Sequence, residues 1–434
     1  MSEALPAFQF YRETRFKEVE LNGRKVRIPE EWEVVELGEV VTIRRKKSIR
    51  NVSEVAVIPM EKVPQDNNLF AEFEIMPIEE VKSSTYCAAG DLLLAKITPS
   101  FENGKQGIVP FNIPNGFALA TTEVYPLVPS EDLDVFFLFY LLKDKRFRRV
   151  LEVRMIGTTG RQRVQKTDLI KLQIPLPPLE EQKKIAEVLR SIDEAIQAVE
   201  ESIAKLERLK KGTMETLLTR GINHTRFKTV ELNGRKVEIP EEWEVVELGE
   251  VAERIKKSID PQKLPNELFE LYSIPAFHET GKPEIVKGSS IKSTKFVIDV
   301  GVVLFGKLNP RIPKIWLVTG ESDYKKISST EFIPLKPVRN LKSEFLYYAL
   351  QDKYFIQISQ QVVTGSTPSR QRINPNKFMK LQIPLPPLSE QKKIAEILRT
   401  IDGAIEAKRE KREKLERMKR AVMEKLLTGE VRVR

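Results

Sequence analysis

One 23-residue stretch, KLQIPLPPLEEQKKIAEVLRSID at 171–193, constrains this chain more than any other, because it recurs at 380–402 with 20 of 23 positions identical. In each copy the prolines fix φ, remove an N–H and push the preceding residue into an extended conformation, so helix is forbidden up to Pro178 or Pro387. Helix can start there at once. Proline is tolerated in the first turn, and Glu180, Glu181 and Glu390 suit the positive end of the helix dipole.

Each helix carries a heptad seam. Ile185, Leu189, Ile192, Ile196, Val199, Ile203 and Leu206 recur at spacings of four and three, and the same register in the second copy reads Ile394, Leu398, Ile401, Ile405, Lys408, Arg412 and Leu415. This is the stripe of a coiled coil. Each run stops near Gly221 or Gly429, glycine being the usual residue past a helix end. About 40 residues at 1.5 Å each make a rod of roughly 60 Å. The seams match in register and length, so the nearest partner for each helix is the other, a long core helix or an unrelated dimerisation arm being the alternatives; if the two pack antiparallel, the domains they separate become related by an approximate two-fold axis. Lys408 and Arg412 are expected to fix register, with Glu200 and Glu207 as candidate partners.

A second repeat precedes each rod: RFKEVELNGRKVRIPEEWEVVELGEV at 15–40 returns at 226–251 with 24 of 26 residues identical. Asn22-Gly23 and Asn233-Gly234 predict hairpins, because that turn wants positive φ at both central residues. Trp32 and Trp243, each preceding an apolar segment, are expected in the core. Between these flanks lie two dissimilar inserts, 41–170 and 252–379. They share only a skeleton: Lys46-Lys47 with Lys256-Lys257, 90–96 with 301–307, Thr122-Glu123 with Thr330-Glu331, and 138–144 with 346–352. Short strands and one apolar helix per insert are expected.

The predicted class is therefore α+β: two mixed α/β domains separated by two long antiparallel coiled-coil helices, a tandem internal repeat with pseudo-two-fold symmetry. The expected divisions are an N-terminal extension at 1–14, a domain at 15–176, a helix at 177–221, a domain at 222–385, and a helix with C-terminal tail at 386–434. A length of 434 residues with 41% hydrophobic content accommodates two cores. The net charge of +10 suits a polyanionic partner. A single cysteine, Cys87, excludes an internal disulfide framework, and no apolar run reaches the ~20 residues of a membrane span. A cytoplasmic protein is the expectation.

Catalytic patterns are missing from the sequence. With His224 and His278 the only histidines, there is no H-E-x-x-H, no cysteine pair for zinc, no phosphate loop and no dinucleotide fingerprint. Neither a metal site nor an enzyme is expected. Recognition chemistry is better represented. Just before each rod comes a polar loop, GTTGRQR at 157–163 and GSTPSRQR at 365–372. Arginine can present a fork to guanine, glutamine to adenine, and hydroxyls to phosphate. The candidate DNA contacts are Thr158, Thr159, Arg161, Gln162 and Arg163 in the first loop, and Ser366, Thr367, Ser369, Arg370, Gln371 and Arg372 in the second. Lys96, Lys105, Gln106, Lys307 and Arg311, near the ends of the shared strands, complete the set.

Taken together, LQIPLPPLEEQ running into a long helix at 172–182 and again at 381–391, with IPxxWxxxxLG at 28–38 and 239–249, resembles the specificity subunit of type I restriction-modification systems. The resemblance implies two target-recognition domains, each reading one half of a split double-stranded DNA sequence. It implies no catalysis and no cofactor on this chain. Two methyltransferase subunits using S-adenosylmethionine would be anchored by the rods, and endonuclease/translocase subunits, with ATP and magnesium, would join the assembled complex. A freestanding DNA-binding regulator and a protein assembly scaffold are the alternatives on residues alone.

Overall fold

The computed structural model describes residues 8–433 apart from 50, 51, 66, 159, 321, 366, 368 and 369. Its contacts divide into two compact units, 1–201 with 409–434, and 202–408. The division cuts across the expected boundaries, because each long helix gives one half to each unit. The rods are single helices, Leu179–Arg220 and Leu388–Thr428.

In the first unit the predicted hairpin forms from Phe16–Leu21 and Arg24–Pro29, with Asn22 and Gly23 at φ 51° and 77°. The repeated motif explains itself residue by residue. Gln173 lies in the strand Gln173–Leu176, which pairs with Glu33–Glu36, and clamps the turn: its side chain accepts from the Asn22 N–H at 2.6 Å, while the Asn22 amide donates to the Gln173 carbonyl at 2.8 Å. Gln182, fully buried in the first turn of the rod, donates to the carbonyls of Asp132 and Pro177 and accepts from the Asp134 N–H. One amide thus joins the proline turn, the rod and the start of the insert helix Val135–Lys143. Gln382 and Gln391 repeat both roles in the second unit, on Asn233 and on Asn340, Pro386 and Lys342.

The first insert folds into two four-stranded sheets. One, all antiparallel, has the order Gln106–Ile108, Leu92–Ala95, Val124–Pro129, Val41–Ile43; the other has the order Glu74–Pro77, Glu54–Ile58, Phe117–Ala120, Thr85–Ala88, with a parallel pair at its centre. The second insert has a comparable four-stranded sheet, Ala252–Arg254, Phe332–Pro337, Val303–Gly306, Ile315–Leu317, but its other sheet has five strands. The apolar insert helices, Val135–Lys143 and Ser343–Ala349, pack into the same cores as the rods. Phe137, Leu138 and Leu141 join Ile185, Leu189 and Leu427 in the first unit, and Phe345 and Leu346 join Leu218, Ile394 and Leu398 in the second. Each such side chain contributes about 1.5–3 kcal/mol on burial, so Leu189→Ala is expected to cost roughly 2–5 kcal/mol.

Within each unit the rod segments run antiparallel. In the first, Asp193 meets Lys419 at 2.5 Å and Glu181 meets Arg432 at 2.7 Å; in the second, Lys210 meets Asp402 at 2.6 Å and the Ile222 N–H donates to Glu390 at 2.8 Å. Of the predicted seam, Ile185, Leu189, Ile192, Ile196, Val199, Ile203, Ile394, Leu398 and Ile405 are buried, while Leu206, Ile401, Lys408, Arg412 and Leu415 are half-buried. One of the expected register pairs is loose. Arg412 approaches Glu200 only to 4.0 Å, whereas Asp193 and Asp402 hold lysines closely and also accept the hydroxyls of Tyr140 and Tyr348 at 2.8 and 2.9 Å. Half-exposed charges gain little from pairing in water, and Asp193, the better shielded of the two aspartates, gains more.

The expected terminal extension and tail are not loose additions. Phe10–Arg12 and Val431–Val433 pair as antiparallel strands in the first unit. Among the described residues no helix is long and apolar enough to cross a membrane.

Candidate nucleic-acid interface

In the first unit the loop at 157–163 begins and ends on a backbone bridge: the Ile156 N–H donates to the Arg163 carbonyl at 3.0 Å and the Arg163 N–H returns the bond at 2.9 Å. Gly157, at φ 144°, is required there, because a side chain would run into the Arg161 carbonyl. Neighbouring residues seat the loop. The Val164 N–H donates to the Lys96 carbonyl at 2.8 Å, the Thr98 N–H to the Gln162 carbonyl at 3.0 Å, and the Lys96 N–H to the Glu123 carbonyl at 3.0 Å. The Glu123 carboxylate then grips the Arg163 guanidinium through both oxygens, at 2.9 and 3.1 Å. That bidentate bond holds the Glu123 carboxyl below its ordinary range. Burial lowers the Lys96 ammonium, which lies 4.9 Å from the centre of the Tyr125 ring.

The second unit repeats the same lock within an otherwise different insert. The Ile373 N–H donates to the Lys307 carbonyl at 3.0 Å, the Asn309 N–H to the Gln371 carbonyl at 2.9 Å, and the Lys307 N–H to the Glu331 carbonyl at 2.9 Å. Glu331 grips Arg372 at 3.1 to 3.3 Å. The sparse skeleton shared by the two inserts therefore has a physical meaning. The Gly-to-Lys strand, the Thr-Glu dipeptide and the loop arginine converge to fix one loop in each unit.

This geometry sorts the candidate contacts. Thr158, Arg161, Gln162, Thr367, Arg370 and Arg311 are exposed, with Gln371 and Lys307 half-buried, and these remain presentable to a ligand. Arg163 and Arg372 are exposed as residues, but their guanidinium forks are occupied by Glu123 and Glu331, so they hold the loops and are not free forks for a base. Gln106 is corrected outright: it is fully buried, donates to the Phe139 carbonyl at 2.6 Å and accepts from Arg148 at 2.6 Å. Lys105 is also turned inward, donating to the Met60 carbonyl at 2.7 Å. A buried polar group must be paired, as Gln106 is, and the half-buried Lys105 also has its ammonium on a protein carbonyl. Thr159, Ser366 and Ser369 lie outside the described residues.

Glu123 and Glu331 were not among the candidates, although the duplicated Thr-Glu dipeptide was the signal that could have found them. Arg148 and Lys314, both about 4% exposed, carried no such signal. No group of three or more His, Cys, Asp or Glu that could hold a metal ion occurs among the described residues.

The outward side of each lock thus presents a fork, an amide and a hydroxyl on a rigid frame, a set suited to base edges and phosphates. A family profile described as the type I restriction modification DNA specificity domain matches residues 29–208 and again 240–417. Two relatives from Methanocaldococcus jannaschii align along nearly the whole chain. The putative type I restriction enzyme MjaX specificity subunit is 29% identical, over 98% of this chain and 99% of its own, and the MjaVIII specificity subunit is 30% identical, over 98% of each. Two solved structures share the fold. One, described by the structural basis of complex assembly and conformational transition of the type I R-M system, covers 93% of this chain and 99% of its own with a TM-score of 0.55 at 20% identity. The other, the S subunit of a type I restriction-modification system from M. genitalium, covers 91% and 96% with a TM-score of 0.53 at 14% identity.

Proposed function

Because the chain belongs to the type I restriction modification DNA specificity family, we propose that each of its two domains reads one half of an asymmetric, split DNA target. The observation that carries this reading is one lock set in two unlike inserts: the same lysine, glutamate and arginine frame recurs in both units, while the inserts around it differ in sequence and in their second sheet, of four strands in one and five in the other. A shared frame inside unlike inserts suits two different half-sites. Arg161 and Arg370 are the candidate guanine forks, and Gln162 and Gln371 the adenine readers. Arg311 and Lys307 suit phosphate.

The rods set the gap between the half-sites, on a scale where successive major grooves on one face lie about 34 Å apart. They also anchor two methyltransferase subunits. The chain itself is non-catalytic and carries no cofactor. S-adenosylmethionine belongs to the methyltransferase subunits, ATP and magnesium to the endonuclease/translocase subunits, and the complex works in the cytoplasm. The names of the full-length relatives as specificity subunits, and the complex-assembly context of one fold neighbour, support this assignment.

The test is to assemble the chain with methyltransferase subunits and map adenine methylation. Exchanging residues 41–170 for those of a relative should change one half of the target and leave the other intact; a change in both halves sinks the proposal. Deleting one heptad from each rod should shorten the preferred spacer, and an unchanged spacer would remove the rods' measuring role.

A further inference from the structure

Beneath each recognition loop a buried cation grips the neighbouring loop from inside. In the second unit this is Lys314, whose three ammonium donors all go to backbone carbonyls: Ile312 at 2.7 Å, Leu308 at 3.1 Å and Asn309 at 3.3 Å. The gripped residues are those that seat the recognition loop, since Leu308 bridges Arg372 and the Asn309 N–H bonds the Gln371 carbonyl. Displacing either residue therefore moves Gln371.

The first unit reaches the same arrangement by another route. Lys105 holds the equivalent place, its carbonyl accepting from Ala95 as that of Lys314 accepts from Gly306, but its side chain leaves for Met60. Arg148, from the helix Lys145–Glu152, fills the vacated role. It donates to the Phe101 carbonyl, lies 4.5 Å from the centre of the Phe101 ring, and bonds the Leu142 carbonyl and Gln106. The Phe101 N–H in turn holds the Ile97 carbonyl, Ile97 bridges Arg163, and Thr98 bonds Gln162.

Burial disfavours the charged form of both groups, lowering the Lys314 ammonium and bringing Arg148 down to about 10. A buried charge is an expensive way to fill space, since an apolar side chain of similar volume is often neutral or better for stability. Two unrelated residues delivering a cation to the same place point to positioning.

We propose that Lys314 and Arg148 are specificity-determining positioning residues, each holding rigid the loop that aims one unit's recognition residues at its half-site. The proposal rests on the reading that these loops face DNA. The assembled methyltransferase complex is assayed on duplexes carrying the mapped target and on single-base variants of each half. Lys314→Met should lower kcat/KM by roughly 10- to 100-fold, the penalty of a reacting geometry misplaced by about 1 Å. It should also flatten base discrimination in one half only, and Arg148→Met should do so in the other. Lys314→Arg and Arg148→Lys, which keep the charge but not the full donor geometry, should recover part of the discrimination lost in the methionine variants; they also supply the test if a methionine variant does not fold. Unchanged discrimination, or equal loss in both halves from either variant, overturns the proposal. Arg161→Ala and Arg370→Ala distinguish the two levels. If these alter discrimination and the buried-cation variants do not, the positioning role alone fails; if all leave it unchanged, the DNA-facing reading fails as well.

Discussion

The junction between rod and hairpin is built twice, once from one continuous stretch and once from two segments far apart in sequence. In the second unit the chain is continuous, and one residue, His224, lies three positions after the rod's terminal Gly221 and two before Arg226 of the hairpin repeat. Its Nε2 is 2.9 Å from Glu390, which also accepts from Trp243 Nε1 at 2.9 Å. In the first unit two residues from opposite chain ends occupy that position: Arg432, three after Gly429, and Glu13, two before Arg15. Arg432 bonds Glu181 at 2.7 and 2.8 Å, Glu13 at 2.8 Å and Glu31 at 2.9 Å, while Glu181 accepts from Trp32 Nε1 at 3.0 Å. Where a covalent link keeps the parts together, a single imidazole is enough. Where the two segments are far apart in sequence, a charged clasp and a strand pair hold them together against the entropy of closing a long loop.

The most severe break in this comparison is Arg432→Met, which leaves Glu181 and Glu13, each about 8% exposed, without their cation. Removing one partner of a buried pair costs roughly 3–5 kcal/mol. His224→Ala removes one bond to a carboxylate and should cost about 1–2 kcal/mol. Denaturant unfolding read separately on each unit by hydrogen exchange checks both; equal losses would mean that the two-segment junction is no more dependent on its clasp than the continuous one.

A smaller contrast lies in the duplicated triads. Lys419 and Asp193 are 12% and 7% exposed at their side chains, whereas Lys210 and Asp402 are 20% and 32% exposed. Better shielded from water, the first pair should be worth more. Lys419→Met is expected to cost about 3 kcal/mol and Lys210→Met about 1 kcal/mol, measured by chemical denaturation. The reverse order would show that burial does not rank the two.

The mildest test is acid. The Arg15 N–H, and after it Arg432, holds the Glu13 carboxyl down to about 2, below the 4.5 of an unperturbed glutamate. A depressed folded value means that its contribution is present above about pH 4.5 and is lost as the pH falls from there toward 2. A pH titration of strand-end exchange should reveal that loss in the first unit, and Glu13→Gln should remove this part of the slope. An unchanged slope in the variant would leave Glu13 without a place in the clasp.

Much of the fold was legible because it is written twice. The prolines, the heptads and the Asn-Gly turns each act through local backbone rules, and the rods, the hairpins and the buried tryptophans came out of those rules. Gln173, Gln182, Glu181 and their copies were visible as repeated letters, but their partners lie far away in sequence, so their bonds were not. The loops at 157–163 and 365–372 were legible as polar stretches at the ends of the inserts. That Arg163 and Arg372 are engaged by glutamates, and that Gln106 points inward, was not legible, because an arginine or glutamine in a string carries no information on which neighbours have already taken its donors.

By itself, the sequence determined the duplication, the two rods with their matching seams, and the unlike inserts between shared flanks. Helix, turn and seam depend on residues within a few positions of one another, where spacing is geometry. Only the tertiary structure decided which polar side chains are spent on the protein and which stay available to a ligand, and that Glu13, Glu31 and Glu181 close on the single arginine Arg432. Those outcomes depend on burial and on donors from distant segments, quantities that exist only once the chain has folded.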